Sequence, residues 1–319
     1  MRAVTVVDRH VEVREHPDPV PGRGEVLVRV AAAGLNGADL AQVAGYYPAP
    51  PGSPSDILGL ELAGTVEAVG DGATRFAVGD RVMAIVGGGG QAELAVVHER
   101  VAMPVPDRLD LVAAGGFPEV VLTAHDALLT QAGVTIGARV LVTGAAGGVG
   151  TAAVQLAAAA GARVVASVRD PGLRAAVAEL GAEAIDPEAT AGAGPFDVVL
   201  ELVGAPSFPA AFGALAVGGR LMVIGVGGGH KVELDLRAIL MRRARVLGST
   251  LRVRPLEQKA DAARRVEAQV LPLVDAGRYT VPVAATYPLD QAVEAYERFA
   301  RGAKLGKIIL VMASPGPRA

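Results

Sequence analysis

The stretch Arg139-Val-Leu-Val-Thr-Gly-Ala-Ala-Gly-Gly-Val-Gly-Thr-Ala-Ala-Val-Gln-Leu-Ala-Ala-Ala-Ala-Gly161 decides the reading of the fold. Arg139–Thr143 is a short apolar run, as a buried strand requires. A glycine cluster follows at once. Gly148–Ala160 then reads as an uncharged helix, closed by Gly161 as its C-terminal cap. A strand that turns through glycines into a helix leaves backbone N–H groups and the positive dipole end facing whatever sits at the turn. That is the chemistry of a pyrophosphate site. The backbone of Gly144, Ala145, Gly147, Gly148, Val149 and Gly150 is therefore the candidate cofactor cradle. The strict G-x-G-x-x-G spacing is broken, because Ala145 stands where its first glycine belongs. A purely structural turn is the alternative.

Outward from this turn the same alternation continues. Arg163–Ser167, Asp197–Leu202, Arg220–Gly225 and Arg245–Ser249 read as strands, with helical patterns between them. Asp170 and Pro171 supply an N-cap and a first-turn proline for a helix that stops at Gly181. Strands alternating with helices predict an α/β fold with a doubly wound parallel sheet. Before about residue 105 the texture differs. Val26–Val30, Gly64–Val69, Asp80–Ile85 and Ala92–Val97 are Val-rich runs bounded by Gly, Pro and Asp, and they predict a partly closed β domain. Beyond the alternating region come a charged helix over Leu256–Ala276, a second over Pro288–Ala300 and a last strand over Lys307–Met312. This tail is expected to pack back on the first domain, with the final Ser314–Ala319 frayed.

Composition narrows the function. The 319 residues are 51% hydrophobic and only 3% aromatic, so the cores must be built from Ala, Val and Leu. Thirty basic and 33 acidic residues leave a net charge of −3, which excludes the basic footprint of a nucleic-acid binder. The absence of cysteine removes disulfides and any thiolate zinc site. The five histidines, His10, His16, His98, His125 and His230, lie far apart without helical ligand spacing, so no metal site is expected. The start of the chain reads as a pair of strands rather than a signal peptide. The uncharged Gly144–Ala162 stretch is too glycine-rich, and too closely flanked by strands, for a membrane helix. A cytoplasmic protein is expected.

The second strand of the alternating region ends Val164-Val-Ala-Ser167-Val-Arg169. An NAD site uses an acid at this tip to hold the ribose 2′-hydroxyl, and none is present. Ser167 and Arg169 are instead suited to a 2′-phosphate, with Arg174 as a helper one turn into the next helix. Solvated surface arginines are the alternative, and Asp170 argues weakly against. NADPH is the expected cofactor.

Leu35-Asn-Gly-Ala-Asp39, Gly45-Tyr-Tyr-Pro-Ala-Pro-Pro-Gly52, Gly59-Leu-Glu-Leu-Ala-Gly64 and Val78-Gly-Asp-Arg-Val82 resemble the catalytic domain of the zinc-free quinone oxidoreductases of the medium-chain dehydrogenase/reductase superfamily. Pro118-Glu, Leu122-Thr-Ala124, the Gly144–Leu156 turn and helix, and Gly306-Lys-Ile-Ile-Leu310 resemble the same family, so the likeness runs along essentially the whole chain. The Pro-rich Tyr loop is most similar to the stress-induced animal branch. The resemblance implies a GroES-like catalytic domain over residues 1–120 and 256–319 and a Rossmann NADPH-binding domain over 121–255. It also implies an active site in the cleft between them and a homodimer through the Rossmann sheet edge. Zinc-dependent relatives carry a Cys where Asn36 stands and a His where Leu60 stands. Glu61 keeps a carboxylate that is near-metal in those relatives; here a structural hydrogen-bond acceptor is the preferred reading.

Reduction of a quinone or small enone needs donors at the carbonyl oxygen, where charge develops. By resemblance Asn36 and Tyr47 are the catalytic candidates, Tyr46 a weaker one because neighbours on an extended segment point apart. Loop anchoring is the alternative for Tyr47. Thr123, at a position that touches the nicotinamide in relatives, reads either as a cofactor contact or as a helix cap. Gly225, in the Gly225–His230 loop at the carboxyl end of a strand, joins the cofactor candidates. Arg252, Arg254 and Lys307 are candidate channel cations or plain surface charges. Two further functions stay open. One is reduction of an enoyl thioester or polyketide intermediate, for which no basic run near Tyr47 speaks. The other is a non-catalytic NADPH-binding role, against which the intact Asn36, Tyr47 and glycine turn speak.

Overall fold

A computed structural model describes residues 1–312. The final Ser314–Ala319, expected to fray, lies outside the described residues. The chain divides into two compact units. The first comprises residues 1–119, 251–302 and 307–312, and the second comprises 120–250 with 303–306.

The strands of the first unit are β1 (Arg2–Val7), β2 (His10–Glu15), β3 (Glu25–Gly34), β4 (Glu61–Val69), β5 (Arg81–Ile85), β6 (Leu94–His98) and β7 (Ala102–Pro104). Those of the second are β8 (Arg139–Val142), β9 (Arg163–Ser167), β10 (Ala182–Ile185), β11 (Phe196–Glu201), β12 (Leu215–Val223) and β13 (Arg245–Gly248). The chain then returns to the first unit with β14 (Val283–Pro288) and β15 (Lys307–Val311).

In the first unit, β1 and β2 form the expected hairpin. The main sheet has the order β14-β15-β3-β4-β5-β7, with β6 pairing β3. Its strands are mostly antiparallel, and β14 runs parallel to β15. Strand β3 is central because Val26, Val28 and Val30 are all buried, at 3% exposure or less. It pairs β15 through Gly34–Ala32, which brings the C-terminal strand against the end of β3.

The second unit is a six-stranded sheet, every adjacent pair parallel, in the order β10-β9-β8-β11-β12-β13. Parallel strands are covered on both faces, so the centres of β8 (Val140–Val142) and β11 (Val198–Leu200) read as unbroken apolar runs. Its core joins Leu141, Val165, Val199 and Leu221 to Phe196, Phe208 and Phe212. Half of the chain's six phenylalanines thus sit in one cluster.

Several elements differ from the sequence expectations. The charged helix expected over 256–276 is two helices, Leu256–Gln269 and Leu271–Asp275. Pro272 has no N–H to donate and crowds the preceding turn, so one continuous helix cannot form. The segment after Asp170 begins as a 3₁₀ turn, Pro171–Leu173, before the helix Arg174–Ala178. Strands β10 and β14 and the helix Gly37–Val43 gave no clear periodic signal, because their faces are largely exposed or short. The helix Pro118–His125 runs on into a π-helical turn, Asp126–Gln131. Relative to the expected divisions, Leu251–Pro255 belong to the first unit and Ala303–Gly306 to the second. The latter segment is held there by the Gly306 amide, which donates to Ala146 O at 2.8 Å.

Candidate active site

The glycine turn is built as its sequence dictates. Gly144 has φ +58°, a left-handed conformation costly for any side chain. Gly147 caps the helix Gly148–Ala159 with extended backbone and contributes no side chain to cover its end. The first amide to find a partner along the turn of helix is that of Thr151, on Gly147 O at 2.8 Å. The amides of Gly148, Val149 and Gly150 precede it and have no acceptor within the helix. A Cβ on Gly150 would sit 2.6 Å from both Ala145 Cα and Gly144 O, so helix and turn touch backbone to backbone. Ala145 itself is fully buried and donates its amide to Ser167 O. Its methyl is interior, which explains why the broken G-x-G spacing is tolerated. Free amides, a bare cap and close backbone approach fit a dinucleotide pyrophosphate.

Ser167 ends β9 and is 5% exposed. Arg169, two residues on, is exposed and makes no hydrogen bond or ion pair among the described residues. Arg174 is committed elsewhere. Its Nε donates to Val168 O at 3.1 Å, and its guanidinium pairs with Asp186. A phosphate could recruit only its remaining N–H groups, so Arg169 is the available cation. Asp170 is turned into the following turn, accepting from the Gly172 amide at 2.9 Å.

The loops after β11 and β12 are laced together beside this turn. Glu201, fully buried, accepts through Oε1 from Thr143 Oγ1, the amides of Val203 and Gly204, and Ser207 Oγ. The Gly225 amide donates to Glu201 O at 3.1 Å, and a Cβ there would fall 2.3 Å from Leu202 O. Gly225 therefore shapes the loop by its lack of a side chain. His230 is exposed. Thr123 is 9% exposed and lies inside the helix Pro118–His125, so it is not a helix cap.

The first unit holds a buried polar cluster that sequence did not foresee as a whole. Lys307, expected as a cofactor contact or a surface charge, is 2% exposed. Its ammonium donates to Glu61 Oε1 at 2.6 Å, Asn36 Oδ1 at 2.6 Å and Leu35 O at 2.8 Å. All three ammonium donors are used within the protein, so the reading of Lys307 as a surface charge does not hold. The cause is topological: β15 pairs β3, and that pairing carries Lys307 to the chain around Gly34 and Leu35. Glu61 is fully buried and accepts again from the Glu119 amide at 2.9 Å. Its structural-acceptor role is thus what the geometry displays.

Asn36 sits between these charges as the N-cap of the helix Gly37–Val43. Its Nδ2 donates to Glu61 at 2.9 Å, with only a 3.4 Å contact to Gly34 O for its second hydrogen. Asp39 completes the capping box by accepting from the Asn36 amide at 2.8 Å, and it also takes a hydrogen bond from Gln91. Burial pushes the Asp39 carboxyl up to about 6. Tyr296 donates to the other end of Gln91 at 2.8 Å.

Tyr46 and Tyr47 separate as expected for neighbours: Tyr46 is 85% exposed, and Tyr47 is half-buried. The Arg252 guanidinium lies 5.1 Å from the centre of the Tyr47 ring. Arg252 is 7% exposed, so its reading as a surface charge does not hold. No sequence signal tied it to the Tyr47 loop, more than two hundred residues away.

A catalytic zinc needs three protein ligands and an open position. Among the described residues no group of three or more His, Cys, Asp or Glu could hold a metal ion. Leu60 and Asn36 flank Glu61, and the ammonium of Lys307 fills the oxygen cradle. These residues do not fit a zinc ion.

Comparison with known proteins decides the family. Residues 22–107 match the alcohol dehydrogenase GroES-like domain, and residues 148–268 match the domain family described as zinc-binding dehydrogenase. The human quinone oxidoreductase is 29% identical over 92% of this chain and 91% of its own length. The acryloyl-coenzyme A reductase of Metallosphaera sedula is 31% identical over 97% of this chain and 99% of its own. A mycobacterial protein solved in complex with NADPH superposes with a TM-score of 0.86 at 27% identity, covering 98% of this chain and 99% of that one. The chain belongs to the medium-chain dehydrogenase/reductase superfamily, on its quinone oxidoreductase branch. A medium-chain dehydrogenase/reductase is an NAD(P)-dependent oxidoreductase with a GroES-like and a Rossmann-like part, and both sheets described above belong to that plan. Among the described residues no helix is long and apolar enough to cross a membrane.

Proposed function

We propose that this oxidoreductase uses NADPH to reduce quinones or small α,β-unsaturated carbonyls, without a metal ion. The observation that carries the reading is the Lys307 ammonium, enclosed by three oxygens beside Asn36. A tethered cation holds the charge of Glu61, and no zinc ligand set accompanies it. The named quinone oxidoreductase relatives support the acceptor class. NADPH is favoured over NADH because no acid ends β9 and Arg169 is an unengaged cation two residues past Ser167.

NADPH supplies the hydride when bound. The amides of Gly148, Val149 and Gly150 hold its pyrophosphate, and Arg169 neutralises the 2′-phosphate. The Tyr47 hydroxyl and the weakly engaged second N–H of Asn36 donate to the acceptor's carbonyl oxygen as negative charge builds there. Water can protonate the resulting enolate or quinol, so no dedicated strong acid is required.

A second reading, reduction of an enoyl thioester, is favoured by the likeness to acryloyl-coenzyme A reductases. One assay separates the two. Nicotinamide oxidation is followed with NADPH and NADH against a panel of quinones, enones and an enoyl thioester, with a chelator present. Chelator-insensitive, NADPH-preferring turnover of quinones is the expected result. Turnover confined to the thioester would replace the first reading with the second, and loss of activity with the chelator would overturn the metal-free mechanism. Cofactor binding with no turnover of any acceptor would leave the non-catalytic role.

We further place the protein in the cytoplasm, where NADPH is supplied, as a homodimer. Strand β13 ends the parallel sheet with most of its residues exposed, and Leu236, Leu240 and Met241 of the preceding helix are 65–75% exposed. A second copy would pair this edge and cover those side chains through a two-fold axis. Sedimentation should give a dimer, and Leu240→Glu should give a monomer; a monomeric wild type would refute the assembly.

A further inference from the structure

Arg252 is a buried cation held by neutral groups. Nε donates to Gly87 O at 2.8 Å, Nη1 to Tyr47 O at 2.9 Å and Nη2 to Gln42 Oε1 at 2.5 Å. The Tyr47 ring supplies the fourth contact, at 5.1 Å. Among the described residues no carboxylate lies within ion-pair distance of it. Burial holds its pKa below the usual arginine range, and the nearby Tyr47, Asp39 and Glu119 offset that only in part. A guanidinium stripped of water without a counter-ion is unfavourable. Every one of its fixed contacts, however, lies on the Tyr47 loop or on what supports that loop. Gln42 is in the helix leading into the loop, and Gly87 is in the bed beneath it.

That bed is equally specific. A Cβ on Gly87 would lie 2.1 Å from Ser53 Oγ and 2.9 Å from Pro50 Cγ. One on Gly88 would lie 2.6 Å from Pro54 O. The loop therefore rests directly on bare backbone, and Arg252 pins its Tyr47 end from the side.

Resting on the proposed reduction of a carbonyl acceptor, we infer that Arg252 is a positioning residue that acts through Tyr47. Its planar fork fixes the Tyr47 carbonyl and the ring at once, which presents the hydroxyl in one orientation to the acceptor oxygen. Its charge has no carboxylate to neutralise it and favours the electron density that gathers on that oxygen. A lysine would keep the charge but lacks the fork.

A double-mutant cycle with hydrogen exchange tests this. Arg252→Gln should lower kcat with quinone about tenfold, leave the KM for NADPH unchanged, and raise amide exchange across residues 42–54. Arg252→Lys should recover part of kcat. Arg252→Gln placed on Tyr47→Phe should cost little beyond Tyr47→Phe alone, since both remove the same interaction. Losses that simply add, or unchanged exchange in 42–54, would overturn the inference. Should Arg252→Gln fail to fold, Arg252→Lys carries the same cycle. Wild-type turnover in Tyr47→Phe would sink the acceptor-site reading itself. The exchange arm, read on the protein without substrate, would then still show whether Arg252 clamps the loop.

Discussion

In the second unit the groups that would meet a cofactor are backbone amides, those of Gly148, Val149 and Gly150, set in a turn of seven consecutive residues from Gly144 to Gly150. In the first unit the charged groups are side chains drawn from distant positions, Glu61 and Lys307 joined through Asn36, and Arg252 held by Gln42. The turn works because side chains are missing: Gly144 needs a left-handed backbone, and Gly150 needs to touch Ala145. These charges work because each is met by groups far away in sequence. Local geometry builds the first kind of site, and strand pairing between distant segments builds the second. The two should therefore fail in different ways when broken.

The largest effect is expected in the cluster. Lys307→Met leaves the carboxyl of Glu61 fully buried and facing no cation. Breaking one side of a buried pair typically costs about 3–5 kcal/mol. Denaturant unfolding should show a loss of that order, with cofactor affinity little changed in the fraction that remains folded. Adding Glu61→Leu should return much of the loss, because the uncompensated charge is gone. A single mutant as stable as wild type would mean that Glu61 is neutral or that water reaches it.

That asymmetry also governs what could be read from the sequence. The turn was legible because its meaning lies in contiguous residues: an apolar strand, glycines at fixed offsets and a helix closed by Gly161. The parallel sheet followed from the same alternation. Asn36 and Tyr47 were legible only through family likeness, which marks positions but not partners. The partners of Lys307 were not legible because nothing in Gly306-Lys-Ile-Ile-Leu310 says that β15 pairs β3. The partners of Arg252 were not legible either, because two of its acceptors are the carbonyls of Gly87 and Tyr47. Carbonyl acceptors leave no trace in side-chain pattern. Ser167 and Arg169 stood out because an acid was missing, a signal confined to one strand tip. Arg174 shared that neighbourhood, but its pairing with Asp186 depends on how β10 lies beside β9.

A finer test separates backbone from side chain within the second unit itself, by titrating NADPH and NADH against two variants. Gly150→Ala places a methyl where the nearest backbone atoms would stand 2.6 Å away, so the helix must shift off the turn. The amides that would hold the pyrophosphate move with it. Both cofactors share that group, so both affinities should fall together, by about a hundredfold, or roughly 2.7 kcal/mol. Arg169→Ala removes an exposed cation that makes no hydrogen bond or ion pair among the described residues, so the fold should be untouched. Only NADPH carries the 2′-phosphate. Its affinity should fall by about tenfold, roughly 1.4 kcal/mol, with NADH unchanged and the difference shrinking as salt is added. Equal losses for both cofactors in Arg169→Ala would mean that the arginine meets the shared pyrophosphate or adenine side instead. An unaffected NADPH titration would move the 2′-phosphate contact away from the end of β9 altogether. The backbone reading stands or falls separately: if Gly150→Ala binds both cofactors as wild type does, the turn is structural, and the cradle must lie outside Gly144–Gly150.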